Sequence, residues 1–346
     1  MKKRILSLVL ALSMMISLFP VSALAQTPGG GTAEMAEENG ENIDAANGAD
    51  VTTIQIDSNG EPVGDDGAKG ENWEYDSNLM LKKGTYTFSA PVTCGVIIYD
   101  EATVAGGTFE NTVWNGSADA NGGTISGGTF ADVSNRGIII GGTFTGDRGS
   151  IINHTKIAGG VFEKNVTNGD SGDEGISASI TGGLFKAKVQ NKAASAAITG
   201  GVFVTIPTGS GTIANGCTLT TSGRTSKFLY AADGKEIDLG QSVYVIPNDT
   251  DALKVVGDGV SNWDVVDGSG THALATWNGV TLKQDGSFTL NPDKISGTTL
   301  TFTVSTTPVT PDPELVLAGG VPDTSEEHAK QKTVGGKTIY YGNGGV

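Results

Sequence analysis

Apolar and polar positions alternate along this chain in short runs, and between residues 104 and 203 the runs repeat. Six times the same cassette returns: an aliphatic residue, a spacer, two glycines, one further residue and a phenylalanine. The copies are VAGGTF ending at Phe109, ISGGTF at Phe130, IIGGTF at Phe144, IAGGVF at Phe162, ITGGLF at Phe185 and ITGGVF at Phe203. The phenylalanines lie 21, 14, 18, 23 and 18 residues apart. A unit of that length is too short to be a domain. It buries its apolar face only by stacking on its neighbours, which is the signature of a solenoid.

In an extended segment, successive side chains point to opposite faces. Val104, Ile125, Ile139, Ile157, Ile180 and Ile198 therefore point inward. The glycine pair turns the backbone at a corner, and Phe109, Phe130, Phe144, Phe162, Phe185 and Phe203 point inward beyond it. Stacked coils superpose like on like, giving ladders at a spacing of ~4.8 Å. Glycine clusters, β-branched residues and a scarcity of helix signals favour strands, and the leucine and asparagine pattern of a leucine-rich repeat is missing. The fold class read here is all-β: a parallel β-helix, right-handed by its variable coil length and lack of a strict hexapeptide repeat. The 14- and 23-residue spacings place the length changes in the outer turns.

The flanks extend this picture. Trp73, Tyr75, Leu79, Leu81, Tyr86 and Phe88 alternate with polar residues and predict two strands divided near Lys82-Lys83-Gly84. They cap the solenoid's open end, so the β-helix with its cap spans residues 71–226. From Lys227 to Val304 the strand patterns are short, with turns at Asp233-Gly234, Asp258-Gly259 and Asp285-Gly286. That spacing predicts a small β-sandwich over 227–305. TTPVTPDP then marks a stiff linker at 306–316, and 317–346 form a tail or the start of a further module.

The first 25 residues read as an export signal: Lys2, Lys3 and Arg4, an apolar run from Ile5 to Leu18, and Ala23-Leu24-Ala25 as a cleavage site. No other apolar run is long enough to span a bilayer, so the mature chain is expected outside the cell, secreted or associated with the wall. Gln26 to Gly70 hold ten acidic residues and one lysine. This stretch reads as a disordered acidic linker with an isolated strand at Val51 to Ile56. The formal net charge is −16, and removing the signal leaves 19 basic against 38 acidic residues, or −19. Such a protein has no electrostatic attraction to nucleic acid or anionic membranes.

The stretch ENWEYDSNLMLKKGTYTFSAP (Glu71 to Pro91), with the G-G-x-F coils behind it, resembles exported β-helix proteins of Gram-positive bacteria. These are adhesin-like or carbohydrate-binding, and the likeness covers roughly residues 72–207. GVTLKQDGSFTLNPDKISGTTLTFTVS (Gly279 to Ser305) resembles the end of a bacterial immunoglobulin-like module. The two resemblances imply the fold and a surface location more than an activity.

Candidate chemistry is sparse. Cys94 and Cys217 flank about six coils, on the order of 29 Å, whereas a disulfide needs Cα atoms within roughly 7 Å; both are expected as unpaired, buried rungs. His154, His272 and His328 fall in separate segments and are expected at the surface or in turns. No G-x-S-x-G, H-E-x-x-H or C-x-x-C occurs. The glycine pairs are not phosphate loops, because no Lys-Ser/Thr and no helix follows them.

β-Helical pectate lyases and polygalacturonases set the standard for an enzyme of this fold: carboxylates converging on one groove, with a basic residue or calcium beside them. With the coils aligned on phenylalanine, the next residues are Glu110, Ala131, Thr145, Glu163, Lys186 and Val204. The row after that is Asn111, Asp132, Gly146, Lys164, Ala187 and Thr205. Neither row stacks acids on adjacent coils. The densest mixed patch is Asp132, Arg136, Asp147 and Arg148. Asp170, Asp173 and Glu174 on the longest coil form an acidic insertion, the candidate for calcium. Trp114 sits in a polar stretch where a core role is not evident, and an exposed indole binds sugars by stacking on their apolar faces. The leading expectation is a non-enzymatic surface protein binding a polysaccharide or surface glycoconjugate. A β-helix lyase or glycoside hydrolase and a purely structural spacer are the rivals.

Overall fold

The computed structural model describes residues 51–64, 69–146, 151–170, 177–223, 225–247, 252–260, 262–274, 277–305, 330–334 and 337–341. The export signal read at 1–25, the acidic linker as far as residue 50, and the linker at 306–316 lie outside these residues. So do the candidates Asp147, Arg148, Asp173 and Glu174.

The chain winds into a parallel β-solenoid of about seven turns. Each full coil contributes three strand segments, the second and third continuous in Thr108–Asn115 and Thr129–Asn135 and separate in later coils, and these stack into three rows. The first row pairs Val104 with Ile125, Ile125 with Ile139, Ile139 with Ile157, Ile157 with Ile180 and Ile180 with Ile198, all parallel and in register. The second row pairs the six phenylalanines in the same way. All twelve predicted ladder residues are buried. Successive phenylalanine rings lie 4.6 to 5.1 Å apart, with planes within 14° of parallel. Phe88 closes this stack edge-on at the start, and Tyr244 lies tilted against Phe203 at the end.

The two glycines of the corner have different jobs. The second has a left-handed φ in every cassette, from 98° at Gly142 to 129° at Gly201, a region closed to most side chains. The first has no such φ but crosses the coil below. A Cβ at Gly141 or Gly159 would lie 2.2 or 2.3 Å from the carbonyl oxygen of Ser126 or Ile140.

The third row carries a feature that alignment on phenylalanine does not reveal. Its strands end in an aliphatic-x-Asn triplet: Val113-Trp114-Asn115, Val133-Ser134-Asn135, Ile151-Ile152-Asn153, Val166-Thr167-Asn168 and Val189-Gln190-Asn191. The five asparagines are fully buried. Each of the first four donates from Nδ2 to Oδ1 of the next at 2.7 Å. Each amide also donates to a backbone carbonyl at the corner, such as Ser179 for Asn153 and Ala197 for Asn168. Buried polar side chains are tolerated when satisfied in this way. The ladder runs out at Asn115, whose Oδ1 has no partner among the described residues.

Two boundaries differ from the sequence reading. At the start, Val51–Ile56 is not an isolated strand in a disordered linker: it pairs parallel with Thr85 to Phe88 and buries Ile54. The ordered coils therefore begin twenty residues before 71. At the end, no break separates the solenoid from the module at 227. Ser242–Ile246 pairs antiparallel with the last phenylalanine strand, Gly201–Phe203, and with Cys217–Thr221. Cys217–Thr221 continues to Thr299–Val304 and that strand to Trp263–Asp267. One ladder of hydrogen bonds thus crosses the expected domain boundary.

Side chains explain the junction. In the first three cassettes the residue before phenylalanine is Thr108, Thr129 or Thr143, at least partly exposed. In the last three it is Val161, Leu184 or Val202, buried in one cluster with Val243, Val245, Phe228 and Phe302 of the later segment. Ser242–Ile246 has two buried faces: Tyr244 and Ile246 join the solenoid interior, Val243 and Val245 the other core. Across that second core lie the sheet of Lys227–Ala232, Lys235–Gly240 and Leu253–Val256 and the hairpin of Val280–Leu282 with Phe288–Leu290. Phe228 meets Phe302 edge-on at 5.6 Å. Lys330–Val334 and Lys337–Tyr341 pair with each other.

Candidate functional site

The middle residue of each aliphatic-x-Asn triplet points out of the solenoid, because its neighbours point in. Pairing aligns these residues across coils as Met80, Ile97, Trp114, Ser134, Ile152, Thr167 and Gln190. The result is an outer row that opens apolar, with Trp114 third of the seven, beside Ser134 at its middle. That indole is 38 % exposed, and its Nε1 has no hydrogen-bond partner among the described residues. The other tryptophans are placed differently. Trp73 and Trp263 are buried, and Trp277 packs on the later core while stacking on His272 at 4.3 Å.

The polar candidate Asp132 shares this face. Asp132 and Ser134 sit two residues apart on Thr129–Asn135 and point outward between buried neighbours, whereas Arg136 lies one residue past that strand, at the corner. Thr112 is the cross-strand neighbour of Asp132 and donates to its Oδ2 at 3.1 Å. Trp114 and Asp132 are diagonal neighbours, roughly 7 Å apart at the backbone. The structure therefore brings Trp114 and Asp132 together, as the linear patch alone did not require.

Of the calcium candidates, Asp170 alone lies among the described residues. Asp170 is ion-paired with Lys192 of the next coil at 2.7 Å, so a cation already faces its carboxylate. Among the described residues, no group of three or more His, Cys, Asp or Glu side chains is placed to hold a metal ion. Glu163 is likewise paired, with Lys186 at 2.7 Å.

Both cysteines are free; Cys217 is buried, which pushes its thiol up to about 12, and Cys94 is only partly buried. His154 departs from the surface position expected for it. It is 7 % exposed, just past Asn153, with its amide donating to the Asn135 carbonyl.

His272 comes together with Ser269 and Asp267 in one hairpin, but not as a catalytic triad. Its Nε2 faces both Ser269 Oγ at 3.2 Å and Asp267 Oδ1 at 3.0 Å, while Ser269 Oγ itself donates to Asp267 at 2.8 Å. A triad needs the base to meet its nucleophile and its orienting carboxylate through different ring nitrogens. The carboxylate holds the turn instead, accepting from the amides of Ser269 and Gly270. Ser269, through its hydroxyl and amide, with His272 adding to them, lowers the Asp267 carboxyl from its ordinary 3.8 to about 2. The depressed carboxylate stabilises the hairpin fully above pH ~4, and that contribution fades as pH falls through about 2. Protection of the Ser269 and Gly270 amides from exchange should therefore persist to pH 4 and collapse towards pH 2. Loss of protection already at pH 5 would contradict this turn geometry.

Comparison with protein-family models, with curated proteins and with solved structures returns no match for this chain.

Proposed function

We propose that this protein is a non-enzymatic, extracellular binding module whose third-row face takes a glycan chain. One observation carries the reading: a partly exposed indole, its N–H without a partner among the described residues, lies on a parallel sheet face, between an apolar strip and the Thr112–Asp132 pair. An aromatic face stacks on the apolar face of a sugar ring, and adjoining hydroxyl and carboxylate oxygens take its hydroxyl protons. Regular rungs supply a rigid surface, so little ordering cost falls on the protein when it binds an extended polymer. The export signal read in the sequence and the resemblance to adhesin-like surface proteins support a location outside the cell. The same resemblance makes the later sheets a support for the solenoid at a cell surface.

A glycan array probed with the protein and with Trp114→Ala tests the proposal. The variant should lose about tenfold or more in affinity for whatever glycans bind, from a loss near 1.5 kcal/mol of stacking. Its melting temperature should stay unchanged, since the ring lies outside both cores. Equal binding by the variant would move the site off this face. Release of unsaturated product from a bound polysaccharide, abolished by Asp132→Asn, would replace binding by lyase chemistry.

A further inference from the structure

Trp114 does not stand away from its sheet. A Cβ at Gly95, on the preceding coil, would lie 2.7 Å from the indole Cζ3 and 3.3 Å from Cη2. It would also lie 2.3 Å from Oδ1 of Asn78, the cross-strand neighbour of Gly95 on the coil before that. The benzo edge thus occupies the space a side chain at 95 would need. Gly95 has no left-handed φ, and the three atoms nearest that Cβ all belong to side chains. Neither backbone conformation nor a backbone approach explains a glycine at this position; room for the indole does. The Asn78 amide borders the same space, is partly exposed, and has no hydrogen-bond partner among the described residues.

We propose that Gly95 is a specificity-determining residue of this face: its missing side chain lets the Trp114 indole lie down beside the Asn78 amide, forming a subsite for one uncharged pyranose ring. The inference rests on the glycan-binding reading above and goes further by naming what shapes the subsite. A ring set on the indole meets the Asn78 amide at one edge and the Thr112–Asp132 pair at the other. The amide both donates and accepts, which suits a hydroxyl. A polyanion is disfavoured twice: Asp132 borders the platform, and the whole chain carries −16.

The test uses the full chain and the variants Gly95→Ala, Asn78→Ala and Trp114→Ala. The probes are soluble mixed-linkage β-glucan, galactomannan, dextran and, as the acidic arm, polygalacturonate. Exposure of Trp114 is read without ligand, as the difference in acrylamide quenching between each protein and its Trp114→Phe counterpart. Gly95→Ala should keep its melting temperature, raise the quenching of Trp114, and weaken binding to a neutral polysaccharide by about tenfold. Asn78→Ala should weaken binding without altering the quenching. If Gly95→Ala binds like the parent while Trp114→Ala does not, the role of Gly95 is refuted and the glycan-binding face survives. If Trp114→Ala binds like the parent, or the parent binds none of the four polymers, the reading of the face fails and the role of Gly95 with it. Preference for polygalacturonate would overturn the uncharged class.

Discussion

Phe162→Ala should lower the stability of this protein by about 3–5 kcal/mol, the cost of losing a buried aromatic and leaving a cavity. The position is a severe one for truncation. The ring is fully buried between Phe144 at 4.6 Å and Phe185 at 4.7 Å, with planes within 8° of parallel. The β-strands on either side are pinned by pairing above and below, so the coil cannot collapse into the gap. A loss of that size corresponds to a fall of roughly 10 °C in Tm for a chain this long. Phe162→Leu should recover most of it, because volume is largely restored while stacking is not. Chemical denaturation of the three proteins decides the matter; a difference below 1 kcal/mol for the alanine variant would mean that the rings do not carry the core.

Asn153→Ala should cost about 2–4 kcal/mol, comparable to a core truncation although the side chain is polar. Asn153 accepts from Asn135 and donates to Asn168, both at 2.7 Å, and donates again to the Ser179 carbonyl. Removing it leaves the Asn168 Oδ1 buried without a donor, at roughly 1–3 kcal/mol for each stranded group. Asn135 is less affected, since its Nδ2 keeps the carbonyls of Gly137 and Lys156. Asn115→Ala is the internal control. It ends the ladder, its Oδ1 already lacks a partner, and it interrupts only one amide-to-amide bond. Urea titrations should therefore rank Asn153→Ala well below Asn115→Ala in stability, and the opposite order would show that the amides do not act as a connected chain.

Much of the solenoid could be read from six phenylalanines. The glycine pair fixes where each coil turns, and strand alternation fixes which side chains face inward, so register follows from local pattern alone. Trp114 stood out for a related reason: an indole in a polar stretch has no place in a core built by that alternation. The asparagine ladder was present as the aliphatic-x-Asn triplet but went unread. Its asparagines follow the phenylalanines at uneven distances, because the turn between the second and third rows changes length from coil to coil. Asparagine near glycine also reads as a turn residue.

Other features had no local signature. The change from threonine to Val161, Leu184 and Val202 is visible in the cassettes, yet its cause is a set of strands that lie outside the repeat, between Lys227 and Val304. Ser242–Ile246 reads as one more short strand of a separate module. Only its two partners show that it caps the solenoid with one face and founds the next core with the other. Asp170 reads only as part of an acidic insertion, and it is the neighbouring coil that sets Lys192 against it. The sequence determined the rungs, because a rung is a matter of neighbours along the chain. What faces each rung from outside, whether the later sheets, an ion partner or the space over Gly95 that Trp114 occupies, was decided by the tertiary structure, because stacking joins residues that the chain keeps about twenty positions apart.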